Sequence, residues 1–146
     1  MTQPLPDDFS RRLVEASPDA IVYADTNGTI RFWNAAATRI FGYEAAEAIG
    51  ASLDLIIPER LRARHWEGFH AVMGGRASRY GAGALLAVPA IRKDGGQISI
   101  EFTILPLHDK GGALTGIAAF LRDATERFEE VRALRREVAA LKAAAR

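Results

Sequence analysis

The chain carries three imidazoles, His65, His70 and His108, and no cysteine. Without a thiol, disulfides, thiolate metal sites, cysteine nucleophiles and flavin–cysteinyl adducts are all excluded. No HExxH pair, Walker loop, GxGxxG or GxSxG motif occurs, so the sequence offers no catalytic constellation. His70 and His108 lack any partner at metal-ligating spacing and are expected at the surface. His65 differs, because "IPERLRARHWEGF" places it inside an amphipathic helix. Leu61, His65, Phe69 and Val72 recur at spacings of four, four and three, one inward stripe, while Arg60, Arg64, Glu67 and Ala71 lie mostly elsewhere around the helix. An imidazole on such a stripe has two readings. It is a neutral core residue whose ring nitrogen meets a backbone carbonyl, or it reaches a ligand. Burying it with no partner costs about 1–3 kcal/mol.

Other side chains carry weaker chemistry. Arg60, Arg62 and Arg64 could bind carboxylates through their guanidinium groups, or form a solvated face. Trp33 and Tyr43 could stack on a planar ligand, or fill the core and its rim. Asn34 is placed to cap a helix beginning at Ala35.

The elements that must position these residues follow from local patterning. "FSRRLVEASP" is a short helix with Phe9, Leu13 and Val14 on one face, stopping before Pro18. Asn27-Gly28 marks a hairpin between strands over 20–25 and 29–33. Short helical patches separated by Gly42, Gly50 and Pro58 follow, with Phe41 and Ile49 facing inward. Pro58 is expected as the first-turn residue of the longest internal helix, which runs to about Met73 and stops at Gly74-Gly75. Three strands are expected over 83–91, 97–107 and 114–123. In the middle one, Ile98, Ile100, Phe102 and Ile104 alternate with polar residues at period two. A helix-bounded pair of strands followed by a three-strand meander predicts an α+β fold. It is a five-stranded antiparallel sheet covered on one face, with an N-terminal cap helix and a C-terminal helix.

"PDAIVYADTNGTIRFWNAAATRIFGY", "LIIPERLRARH", "RKDGGQISIEF" and "LRDATERFEE" occur in this order over residues 10–130, and in this the chain resembles PAS domains. The resemblance implies a sensory or protein-interaction module that is not itself an enzyme. It also implies a pocket between the sheet and the helices. Residues 1–17 are then a lead-in and cap helix, 18–123 the PAS domain, and 124–146 a signalling helix. In oxygen-sensing PAS domains a proximal histidine follows the same "IP…R…H" stretch, and His65 stands at that position. The implied cofactor is haem b, with His65 as iron ligand and Leu61, Phe69, Ala84, Leu86 and Ile104 lining the pocket. The distal side departs from the oxygen sensors. Aligned on "RKDG", their distal arginine falls at Leu86 and their methionine ligand at Ala84. An apolar distal side favours CO or NO over stable O₂. The alternative is a dimerisation or interaction module without haem, with a structural His65 and an empty or small-molecule-filled pocket.

The C-terminal segment carries its own pattern. Val131, Leu134, Val138, Leu141 and Ala145 are spaced three, four, three and four. That is an a/d seam with valine at a and leucine at d, the combination favouring parallel coiled-coil dimers. Glu130 and Glu137 fall at g, Arg135 and Lys142 at e, complementary across a homodimer. The other reading is an amphipathic helix folded onto its own domain. Asp123-Ala124-Thr125 matches the corner that joins the last PAS strand to a signalling helix, with output expected to a downstream signalling protein or effector domain. A formal net charge of +1 gives no pull toward nucleic acid or anionic membrane. No apolar run long enough to span a bilayer and no signal pattern is present, so the cytoplasm is the expected location.

Overall fold

The computed structural model describes residues 2–75 and 84–146. Its elements, in order, are α1 (Phe9–Ala16), β1 (Ala20–Asp25), β2 (Ile30–Trp33), α2 (Ala35–Phe41) and α3 (Ala45–Ala48). Two 3₁₀ turns (Leu53–Ile56 and Glu59–Leu61) lead into α4 (Arg62–Met73), followed by β3 (Leu86–Ile91), β4 (Gln97–His108), β5 (Leu114–Asp123) and α5 (Thr125–Ala144). The strand expected over 83–91 is β3; Gly83 lies outside the described residues.

All strand pairs are antiparallel, in the order β2-β1-β5-β4-β3. The first hairpin forms because the Asp25 carboxylate accepts from the amides of Asn27 and Thr29, while Gly28 supplies the left-handed conformation at φ 77°. The last strand, β5, pairs with β1 on one side and β4 on the other, so α2 to α4 must cross one face of the sheet. On that face Ala20, Val22, Ile98, Ile100 and Leu121 meet Ala36, Ala37, Phe41, Ala48 and Ile56 to form the main core. Small residues on α2 and α3 let the helices approach the sheet, and Phe41 fills the remaining space with no exposed surface.

Asn34 welds these layers. Its Oδ1 caps α2 by accepting from Ala37 N and also accepts from Ile21 N; its Nδ2 donates to the carbonyls of Val14 and Asp19. Trp33 is core rather than ligand platform, packed on Phe41 with its indole N–H shared between Thr38 Oγ1 and the Tyr43 carbonyl.

Two expectations are corrected. Ile49 does not face inward; it is 45% exposed, because α3 ends at Ala48 and the extended conformation of the next residue turns its side chain out. Pro58 is not in the first turn of the long helix. It precedes a 3₁₀ turn, and α4 begins only at Arg62. The tighter turn arises where the proline limits the chain and the Arg62 amide bonds back to the Glu59 carbonyl.

α5 leaves the sheet at the end of β5. Its N-terminal corner is held by Asp123 Oδ1, which accepts from both the amide and the hydroxyl of Thr125, and by an Arg127–Glu101 ion pair. No residue of α5 is buried. Among the described residues, no helix is long and apolar enough to cross a membrane.

Candidate functional site

α4 is attached at its start. Arg62 donates from Nε to the Ile57 carbonyl at 3.1 Å and from Nη2 to the Asp54 carbonyl at 3.3 Å. One turn later the Trp66 indole N–H donates to Asp54 Oδ1 at 2.7 Å. The far edge of that indole covers the Cα of Gly28, leaving no room for a side chain there.

With α4 so placed, the expected stripe is real. Leu61, His65 and Val72 are half-buried and Phe69 is buried, whereas Arg60, Arg64 and Glu67 are exposed; Ala71, expected elsewhere around the helix, is half-buried too. Phe69 lies apart from the main core cluster, in a separate aromatic group with His65 and Trp66. The His65 ring stands edge-on to Trp66 at 4.8 Å between centroids and 6.1 Å from Phe69. Its Nδ1 is buried and has no hydrogen-bond partner among the described residues. Burial holds the imidazole below the ordinary histidine range, Asp54 partly opposing this and His70 adding to it. A neutral imidazole is the form that ligates metals.

The sheet supplies the second group. Leu86 pairs with Phe102, Phe102 with Leu121, and Ile104 with Ala119, so all five share the face that carries the core. Leu86, Phe102 and Ile104 are half-buried, and so is Ala84 just before β3. The expected pocket residues therefore fall into two sets, Leu61, His65 and Phe69 at the helix and Leu86 and Ile104 around Phe102 on the sheet. Among the described residues, no cluster of three or more metal-ligating side chains occurs.

The arginines separate. Arg60 donates to Gln97 and Arg62 to backbone carbonyls, while Arg64 is exposed. Arg60 and Arg62 border a surface groove of about 580 Å³ with Pro58, Glu59 and Ile91, where Glu59 offsets part of their charge. A smaller groove of about 350 Å³ runs along α1 beside Phe9, Leu13 and Pro18. Neither is lined by His65. His70 and His108 are exposed, as expected.

Trp66, Asp54 and Phe102 were not among the expected site residues. Phe102 was legible, since it lies between Ile100 and Ile104 on the alternating run. Trp66 sits one residue off the stripe, and nothing local ties it to Gly28 or Asp54.

Residues 14–129 match the PAS fold family. An uncharacterized protein of Azorhizobium caulinodans is 35% identical over 129 residues, covering 86% of this chain and 17% of that protein. The sensor protein FixL of Bradyrhizobium diazoefficiens is 28% identical across 80% of this chain and 22% of its own length. The oxygen sensor protein DosP of Escherichia coli is 32% identical across 71% and 13%. The chain thus spans less than a quarter of each of these relatives. Among solved structures, an RNA-binding light-oxygen-voltage receptor superposes with a TM-score of 0.73 at 22% identity, over 95% of this chain and 40% of that one. The PAS domain of a Colwellia psychrerythraea protein gives 0.67 at 22% identity, over 80% and 95%. At these identities the structural likeness concerns the fold alone. With the family match running from α1 through the first turn of α5, the chain belongs to the PAS fold family.

Proposed function

We propose that this PAS domain is a sensory module of signal transduction that binds haem b through His65, senses a diatomic gas or redox state, and passes the signal through α5. The observation that carries the reading is the buried Nδ1 of His65, which has no partner among the described residues. An unpaired buried nitrogen costs about 1–3 kcal/mol, a cost that a ligand bound at Nδ1 itself would remove. The donor set fits haem better than a free metal ion. Haem brings most of its iron's donors with it, so a single half-buried histidine, His65, would suffice to hold it. Leu61 and Phe69 on the helix side, and Ala84, Leu86 and Ile104 on the sheet side, would hold the macrocycle by apolar contact. Bound there, haem supplies an iron that takes a diatomic gas or changes oxidation state. The protein's own residues exclude water and orient the imidazole. Similarity to the sensor protein FixL and the oxygen sensor protein DosP supports the same reading.

The output reading rests on α5, whose Val131, Leu134, Val138 and Leu141 are all exposed. A second copy of the chain would cover this seam, and a downstream signalling protein or effector domain in the cytoplasm would receive the change.

A second reading is a dimerisation module without haem, in which His65 is structural. It is favoured by the close packing of His65 on Trp66 and by the absence of His65 from either groove. The absorption spectrum after haem supplementation separates the two. A Soret band in the native protein that is lost in His65→Ala, with the fold intact, supports haem. A native protein with no Soret band overturns the haem reading.

A further inference from the structure

We infer that Trp66, held between Asp54 and Gly28, is a positioning residue that sets the orientation of the His65 imidazole toward its ligand. This rests on the haem reading and deepens it. A metal-ligating histidine is ordinarily oriented by a hydrogen bond from its second ring nitrogen to a carboxylate, carbonyl or water. Neither ring nitrogen of His65 makes such a hydrogen bond among the described residues. Its orientation must therefore come from packing, and the nearest aromatic contact is the Trp66 ring at 4.8 Å, inclined at 75°.

Trp66 can serve in that way because it is itself fixed on three sides. Its N–H is bonded to Asp54 Oδ1 at 2.7 Å, its far edge lies on Gly28, and Phe69 meets its ring at 5.2 Å and 77°. Each anchor is in turn attached to the fold. The Asp54 amide donates to Ser52 Oγ and the Asp54 carbonyl accepts from Arg62, while the Gly28 carbonyl accepts from Leu53 N. Successive residues of an α-helix are rotated by about 100°. Fixing Trp66 against the first hairpin therefore fixes the azimuth of α4, and with it the direction in which His65 leaves the helix. Gly28 is required here for two reasons, its positive φ and the indole lying against its Cα.

The test uses the full chain, both haem-loaded and haem-free. Asp54→Ala removes the acceptor while leaving both rings in place; Asp54→Asn retains an acceptor oxygen; Ile98→Val lowers stability from the core without touching the clamp. In ferrous haem-loaded protein, Asp54→Ala and Trp66→Leu should shift the iron–histidine stretching frequency. They should also speed haem loss roughly tenfold, the low end of what loss of an orienting partner costs a metal site. Asp54→Asn and Ile98→Val should resemble the native protein. In haem-free protein, the His65 ring-proton resonances, displaced by the Trp66 ring current, should move toward free-histidine positions in Asp54→Ala. If the native protein binds haem and Asp54→Ala and Trp66→Leu leave frequency and haem loss unchanged, the positioning role is overturned. If the native protein takes no haem but the resonances move in Asp54→Ala, the positioning of His65 stands and haem as its ligand falls. Unmoved resonances overturn the positioning role in either case.

Discussion

The Ser99 amide donates to Oγ1 of Thr125 at 3.0 Å, while the Ser99 carbonyl accepts from Ala124 N at 2.8 Å. The β4–β5 ladder thus continues past Asp123 into the first residue of α5, with a side chain taking the place of a backbone acceptor. Ser99 lies between Ile98 and Ile100, two residues of the inner face, so the corner links the core-bearing sheet to the exposed helix.

Thr125→Val removes that acceptor at nearly constant shape and leaves the part-buried Ser99 amide unpaired. Destabilisation of about 1–3 kcal/mol is expected, with faster hydrogen exchange at Ser99 and through the first turn of α5. Thr125→Ser should behave as the native protein. Equal exchange rates in the valine variant would show that the corner does not hold the helix.

The haem-free protein should lose stability as pH falls through the histidine range. Burial holds His65 below its ordinary value of 6.5, Asp54 partly opposing this and His70 adding to it. The unfolded chain regains the ordinary value, so just below 6.5 it binds a proton that the folded chain does not. Stability therefore decreases as pH drops from above 6.5, and this loss levels off once pH lies below the folded value. Urea unfolding on either side of 6.5 measures it, and His65→Leu should flatten the difference. A slope that persists in the variant would assign it to other groups.

Leu86 shares the inner face with Phe102 and Ile104, so Leu86→Arg should place a donor among apolar neighbours. In haem-loaded protein this should slow O₂ dissociation or autoxidation, because bound O₂ gains from a hydrogen-bond donor. Stopped-flow rates identical to the native protein would mean that Leu86 does not face the iron.

Along α5, Leu134 and Leu141 are 53% and 65% exposed, an arrangement that a parallel partner helix would cover. Glu130 with Arg135 and Glu137 with Lys142 are complementary only between in-register chains, but exposed pairs contribute about 0.3–0.5 kcal/mol each. Changing Leu134 and Leu141 to Lys should therefore weaken a dimer far more than reversing one charge pair. A chain ending at Thr125 should also associate less tightly. Sedimentation equilibrium on these variants decides; unchanged affinity throughout would leave α5 as an output surface and assign the dimer to the sheet domain.

What the sequence determined by itself is what depends on a few neighbouring residues. Strand alternation put Ile98, Ile100, Phe102 and Ile104 on one face, because side chains alternate across any extended backbone. Helical rotation likewise aligned Leu61, His65, Phe69 and Val72, and Asn27-Gly28 specified its turn through one positive φ. The outward Ile49 escaped that kind of reading, since a helix of four residues is too short for period to fix which side chain faces in. Tertiary structure alone decided that β5 enters between β1 and β4, and that Trp66 reaches Gly28 and Asp54 to set the rotation of α4. Periodicity states which residues share a face. Which distant surface that face meets depends on shape and hydrogen-bond complementarity between segments far apart in the chain, and no local pattern encodes it.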